Sequence, residues 1–464
     1  MRKIVVFIVL VAINLSGISA YSEESNKKPN ILFIMSDQHN ANALGCYGSD
    51  VVKTPNIDRI AQKGVLFEKA YCQTPQCVPS RYSIWTGMHA RSTGTYSNSN
   101  GQNPDINTVA DLFKKEGYVT GTIGKHHLVM NSENNNHGFD VVSVPKGKLK
   151  PVNTLPYDEA HPGRSAVGVY PGSNEEHTSG LTMKEAIDFI ETNSNKPFVL
   201  WYSFYGPHTP ITPSEPWASQ YNYKDLELPP NNSSIDYNLP GMKGFMSKSG
   251  TYSNAELHKK TLAYYYGLTS QIDYNIGLVL DKIDELGLAD NTIVVYTADH
   301  GEMMSEHGCW TKGQTGYEAT VRVPMIVSYP PKMASGERVS KLACSIDLLP
   351  TLLDLAGLDI PDNIQGESLV GLSNNNKNWR NYAFSELSTN ANNTVITVRS
   401  ENQKYVQFRK KGEVVYEQFF NNVDDPWEIN NLIDDKSSED IIVAFKAALK
   451  KWEAETPGAD PFGK

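Results

Sequence analysis

Short apolar runs that stop abruptly at polar or ionisable residues recur along this chain, and stretches with helical periodicity lie between them. Ile31–Met35 reads as a buried strand, and Asp37 and Gln38 follow it. Helical periodicity over Thr108–Lys115 leads through Gly117 to a strand at Tyr118–Ile123, and Lys125 follows. Met183–Thr192 is helical, Phe198–Phe204 is a strand, and His208 follows. Leu262–Leu286 is helical, Thr292–Thr297 is a strand, and Asp299 and His300 follow. Alternating strands and helices predict an α/β fold, with a large, mostly parallel sheet sandwiched by helices. In such sheets the working residues sit just past the carboxyl ends of the strands. That is where these polar groups fall.

After Pro361 the pattern changes. Ala383–Leu387, Val395–Val398, Tyr405–Phe408 and Val414–Phe419 read as short strands with polar turns, closed by a helix over Ser438–Glu453. This predicts a smaller C-terminal subdomain with an antiparallel sheet. The boundary is placed near residue 375, giving a catalytic α/β domain over 21–375 and a subdomain over 376–464. Residues 1–20 read as a secretory signal peptide. Arg2 and Lys3 precede the apolar run Ile4–Leu15, and Gly17-Ile18-Ser19-Ala20 offers small residues for cleavage. A bilayer needs roughly 20 apolar residues, more than this run has, and no later stretch suffices. The mature protein is therefore expected to be exported, periplasmic or extracellular, without a membrane span. The net charge of −10 comes without a concentrated basic stripe, which argues against nucleic acid as a partner. Five cysteines are too few for a disulfide scaffold, and their odd number leaves at least one outside any pairing.

The sharpest motif is Cys77-Val78-Pro79-Ser80-Arg81, followed by Thr86-Gly87. It resembles in full the signature of the type I sulfatases, the formylglycine-dependent branch of the alkaline-phosphatase-like superfamily. The resemblance implies that Cys77 is oxidised to formylglycine by a sulfatase-maturating enzyme. The aldehyde hydrate then offers one oxygen to attack sulfur and a second to release sulfate by re-forming the carbonyl. The bland alternative for Cys77 is a buried free thiol ahead of a helix. Here it is read as a nucleophile that reaches solvent.

Other segments match the family in order. Ser36-Asp37-Gln38 resembles its first metal-binding strand end, with Gln38 where Asp is usual. A Gln carbonyl oxygen can ligate a hard cation, but the site loses one negative charge. The substitution occurs in branches such as choline sulfatases and many polysaccharide sulfatases. Asp299-His300-Gly301-Glu302 resembles the second metal strand end. The implied ligands are Asp37, Gln38, Asp299, His300 and the oxygen derived from Cys77, with sulfate contact the other role open to His300. This oxygen-rich set suits Ca²⁺, or Mg²⁺, over Zn²⁺. Gly124-Lys125-His126-His127 maps Lys125 to sulfate contact and His127 to diol activation. Pro207-His208-Thr209-Pro210 maps His208 to the leaving group, and Trp310-Thr311-Lys312 maps Lys312 to the bridging oxygen. Arg81 is implied to hold the diol beside the metal. Glu318 and Arg322 also match the family and, four residues apart, are expected to pair as scaffold.

The expected function is hydrolysis of sulfate esters on carbohydrates, at a chain end. The long Pro-, Gly- and Asn-rich loops at 144–178 and 213–256 are expected to shape the sugar site. His161, Arg164 and His177 are their candidate substrate contacts, with Trp217, Asn231, Asn232, Tyr157 and Tyr170 beside them. The alternatives are a choline or aryl sulfatase, a phosphate or phosphonate ester hydrolase of the same superfamily, or a non-catalytic glycan-binding protein on the same scaffold.

Overall fold

The computed structural model describes residues 27–99, 102–103, 105–127, 136–152, 155, 167–245, 254–373, 378–390, 393–456 and 458. The expected signal peptide and the boundary at residue 375 lie outside them. Eight strands form the main sheet: β1 (Asn30–Asp37), β2 (Val65–Tyr71), β3 (Val119–Gly124), β4 (Val141–Ser143), β5 (Phe198–Pro207), β6 (Thr292–Ala298), β7 (Met325–Ser328) and β8 (Glu337–Cys344). Their order is β4-β3-β5-β1-β6-β7-β2-β8. All neighbours are parallel except β7, which runs antiparallel to both β6 and β2.

Every position of β1 is buried, because helices cover both faces of the sheet and neither face meets water. Successive side chains point to opposite faces. Leu32 and Ile34 join one core with Phe189 and Ile190 of α3 (Thr178–Asn193) and Ile272, Ile276 and Val279 of α4 (Ala255–Glu285). Ile31, Phe33 and Met35 join the opposite core with Trp85 of α1 (Cys77–Thr86) and Phe113 of α2 (Val109–Lys115). Phe33 stacks on Trp201 of β5 at 3.8 Å between ring centroids.

Register aligns the strand ends. Asp37 at the end of β1 faces Pro207 of β5, and Ser36 faces Ala298 of β6. Gly124 of β3 faces Ser203 of β5. The residues that leave β1, β3, β5 and β6 therefore emerge along one sheet edge.

A second sheet, four antiparallel strands in the order β12-β11-β10-β9, spans β9 (Ala383–Asn390), β10 (Asn393–Arg399), β11 (Gln403–Lys410) and β12 (Glu413–Asn421). On one face Ile396, Val398, Tyr405 and Phe419 pack against Phe445, Leu449 and Trp452 of α5 (Glu439–Glu455). On the other, Val395, Val406, Phe408 and Phe420 pack against Met303, Cys309 and Tyr317. That second contact braces the segment carrying Lys312. Among the described residues no helix is long and apolar enough to cross a membrane. All five cysteines are free thiols.

Candidate active site

Cys77 is the first residue of α1, and all ten residues of that helix are buried. Arg81 lies one turn further on, so the four-residue spacing sets both side chains on one helix face. Cys77 is 1 % exposed. Its thiol therefore does not lie open to solvent, contrary to the sequence expectation, and sits at the floor of a charged cluster. Its Sγ lies 3.3 Å from His300 Nε2, 3.3 Å from Lys312 Nζ, and 3.9 Å from both Lys125 Nζ and Asp37 Oδ1. Burial and Asp37 push the thiol pKa up, but Lys312, Lys125 and His300 outweigh them and hold it well below the ordinary thiol range. The start of a helix favours the same anion.

Arg81 is fully buried and uses its planar fork on four acceptors. Nε donates to Asp299 Oδ2 at 2.8 Å and Nη2 to Asp37 Oδ2 at 2.9 Å. Nη1 donates to the Lys125 carbonyl at 2.5 Å and to Ser203 Oγ at 2.7 Å. Lys125 Nζ is 2.6 Å from Asp37 Oδ2. Burial would raise the Asp37 pKa, yet Lys125, His208, Arg81 and His300 together hold its carboxyl well below the usual range. At Asp299 burial and the Asp37 charge outweigh His300 and Arg81 and push the carboxyl pKa up.

Asp37, Cys77, Asp299 and His300 each bring one ligand atom, all within 4.8 Å of one another. Gln38 adds an amide oxygen at the same place, 3.1 Å from Lys312 Nζ. Two buried carboxylates with an amide oxygen and one imidazole fit a hard divalent cation. Gln38 holds a left-handed backbone, φ 59°, and its N–H donates to Asp299 Oδ1 at 3.0 Å. Glu302 closes the Asp-His-Gly-Glu motif, and nothing in its sequence neighbourhood marks a role for it. Its carboxylate accepts from the Gln38 side-chain amide.

His208 Nδ1 lies 2.6 Å from the Thr209 carbonyl oxygen, which only accepts, so Nδ1 carries a proton. In the neutral ring Nε2, 3.9 Å from Asp37 Oδ1, is then bare. Burial, with help from Lys312 and Lys125, lowers the His208 pKa to about 4 against the pull of Asp37. His127 follows Lys125 at the same sheet edge with φ 56°, and its Nδ1 is buried without a hydrogen-bond partner among the described residues. His126 is also buried, and burial with Arg81 nearby lowers it to about 4.

The loop candidates fare differently. His161, Arg164 and Tyr157 lie outside the described residues. His177 is the N-cap of α3: its Nδ1 accepts from the Ser179 N–H at 3.1 Å, and its ring packs edge-on against Tyr170. That bond gives His177 a structural role at the start of α3. Asn231 donates to the Trp427 carbonyl and Asn232 to Ser305. Both tie the loop to the body of the protein.

A sheet edge that gathers a buried nucleophile candidate, clustered cations and an oxygen-donor set defines an ester hydrolase of the alkaline-phosphatase-like class. The comparisons narrow it. The model of the sulfatase family matches residues 29–358, and that of the N-sulphoglucosamine sulphohydrolase C-terminal region matches 305–455. An arylsulfatase of Clostridium perfringens is 32% identical, over 93% of this chain and 96% of its own. An N-acetylglucosamine-6-O-sulfatase of Bacteroides thetaiotaomicron is 26% identical, over 97% and 91%. The solved structure of a 2-O GAG sulfatase superposes with a TM-score of 0.76 at 26% identity, over 93% of each chain. The chain belongs to the sulfatase family and is a sulfuric ester hydrolase.

Proposed function

We propose that this protein removes sulfate esters from carbohydrates at a chain end, through a formylglycine made from Cys77 and with Ca²⁺ bound at Asp37, Gln38, Asp299 and His300. The observation that carries this reading is the convergence of Lys312, Lys125 and His300 on the Cys77 Sγ. The thiol sulfur stands where the oxygen nucleophile of the mature residue would stand. A bound Ca²⁺ would supply Lewis-acid stabilisation of the sulfate oxygens and of an anionic nucleophile. Hydrated formylglycine supplies the attacking hydroxyl and a second hydroxyl whose loss of a proton releases sulfate.

The chain's own groups supply the rest. Lys125 neutralises sulfate oxygens, and Lys312 stabilises charge developing on the bridging oxygen. Burial lowers the Lys312 pKa, but Cys77, Asp37 and Asp299 more than offset it, and the two carboxylates remain beside the ammonium when Cys77 is converted. His208, neutral before substrate binds, meets the leaving group and donates once a sulfate monoanion beside it favours its protonated form. His127 receives the proton of the second hydroxyl. Arg81 fixes Asp37 and Asp299 in place.

Cys77 is 1 % exposed in the folded chain. This supports conversion by a formylglycine-generating enzyme before folding is complete. The pattern of residues 1–20 supports export. For the substrate, the named activities of the N-acetylglucosamine-6-O-sulfatase and the 2-O GAG sulfatase favour a sulfated sugar.

The test compares kcat/KM on sulfated mono- and oligosaccharides with that on choline sulfate, nitrophenyl sulfate and nitrophenyl phosphate. At least about a hundredfold preference for a sulfated sugar over choline sulfate is expected, since a site that hydrogen-bonds hydroxyls rejects ligands lacking them. A preference for choline sulfate, or no activity on any sulfated sugar, would sink the substrate assignment. Chelation is expected to cut activity at least about tenfold, and Ca²⁺ or Mg²⁺ to restore it. A fully active enzyme shown to be metal-free by elemental analysis would contradict the metal assignment.

A further inference from the structure

Gln38 is an ambivalent ligand. A side-chain amide presents oxygen or nitrogen according to a half-turn of its terminal torsion, and only one of the two faces can bind a cation. Two neighbours remove the ambiguity. Lys312 Nζ lies 3.1 Å from Gln38 Oε1, and an ammonium only donates. On the other side Gln38 Nε2 meets Glu302 Oε2, an acceptor. The second oxygen of Glu302 is engaged as well, accepting from the Met304 N–H at 3.2 Å. Both residues are 1 % exposed. The backbone is pinned too: the Gln38 carbonyl accepts from Tyr265 Oη at 2.9 Å, and Asn40 Nδ2 donates to the Glu302 carbonyl at 2.7 Å.

We propose that Glu302 is a positioning residue that turns the oxygen of Gln38 toward the Asp37–Asp299 cluster. This rests on the metal-site reading above. The carboxylate needs no contact with the cation. It acts through the Gln38 amide, whose dipole it aligns and polarises.

Substitution exposes the logic. Glu302→Gln has one oxygen for donors that the carboxylate meets with two, among them the Gln38 amide and the N–H groups of Met304 and Thr311. If the new oxygen satisfies Met304, its NH₂ faces Gln38, which must turn its own oxygen away from the cluster. If it satisfies Gln38, its NH₂ is pressed against the Met304 N–H. In the first case the site loses a ligand, and in the second the new side chain gives up its bond to Met304 and holds the Gln38 amide less firmly.

A double-mutant cycle separates this role from a merely structural one. Ca²⁺ is titrated calorimetrically into the metal-free full chain, in mildly alkaline buffer, for wild type, Glu302→Gln, Gln38→Leu and the double variant. Glu302→Gln is expected to weaken Ca²⁺ binding by about 10–100-fold. In the Gln38→Leu background the same change is expected to cost no more than about twofold, because the amide through which it acts is gone. An unchanged dissociation constant in Glu302→Gln, or an equal cost in both backgrounds, overturns the proposal. Should Glu302→Gln not fold, Glu302→Asp, which keeps the charge and withdraws the acceptor by one methylene, takes its place in the same cycle. Wild type that binds neither Ca²⁺ nor Mg²⁺ would instead remove the metal-site reading itself. That outcome differs from a wild type that binds and a Glu302 variant that binds equally well.

Discussion

Replacing Cys77 by serine is expected to lower steady-state sulfate-ester turnover at least about a thousandfold, the scale on which losing a covalent nucleophile acts. The reason lies in how the product must leave. A serine oxygen beside Lys312 and His300 can take up a sulfo group, but it has no second hydroxyl whose deprotonation would expel sulfate. The expected signature is a single burst of leaving group, at most one per protein molecule, with a covalent sulfo adduct on the Cys77-derived peptide in mass spectrometry. Cys77→Ala is expected to show neither burst nor turnover. In both variants cooperative unfolding should persist, because α1 is held by Trp85, Tyr82 and Ile84 in the core and not by the thiol. Normal turnover by either variant would end the formylglycine assignment. The same peptide from wild type should carry the aldehyde in place of the thiol, and a wild type active with an intact thiol would end it equally.

The strand ends were legible because they depend on local pattern. An apolar run followed by Ser36-Asp37-Gln38, or by Asp299-His300, states both the strand and the residue that leaves it. The register of β1 between β5 and β6 then brings these residues together. The Cys77-to-Arg81 spacing was legible for a similar reason, since four residues are one helical turn. Properties set by distant neighbours were not. β7 runs against its neighbours, and its four residues carry no mark of direction. Glu318 and Arg322 have helical spacing, yet the helix there covers only Glu318–Val321. The Glu318 carboxylate bonds Tyr71 Oη at 2.7 Å and Arg399 Nε at 3.3 Å, while Arg322 turns to the Glu68 carbonyl and Asn42. His177 lies in a polar stretch because helical periodicity begins only at Met183, whereas α3 begins at Thr178 and makes His177 its cap. The role of Glu302 is not legible from the Asp-His-Gly-Glu motif, because its partner Gln38 is remote in sequence.

The second large effect is expected at Arg81, and it falls on stability as well as catalysis. Arg81 is the only side chain bonded to both Asp37 and Asp299 among the described residues, and all three are fully buried. Arg81→Met leaves two carboxylates facing each other in the interior. Breaking a buried pair costs about 3–5 kcal/mol, because the remaining charge has lost its water and gained no partner. Here Lys125 still compensates Asp37 at 2.6 Å, so the deficit concentrates on Asp299. Protonation of Asp299 relieves part of it, but a protonated carboxyl is a poor ligand for a hard cation. Activity is therefore expected to fall at least about a hundredfold through misplaced ligands and lost transition-state stabilisation. Arg81→Lys restores the charge but not the fork, since an ammonium cannot span Asp37, Asp299, the Lys125 carbonyl and Ser203 Oγ at once. It is expected to recover part of the stability and little of the activity. The measurement is urea unfolding of wild type, Arg81→Met and Arg81→Lys, each with and without saturating Ca²⁺. In metal-free buffer Arg81→Met should unfold at clearly lower urea than wild type, and Ca²⁺ should narrow the gap by supplying the positive charge that the arginine gave. An Arg81→Met protein as stable as wild type without metal would show that Arg81 does not hold the two carboxylates together. A gap that Ca²⁺ leaves unchanged would show that the cation does not bind between them.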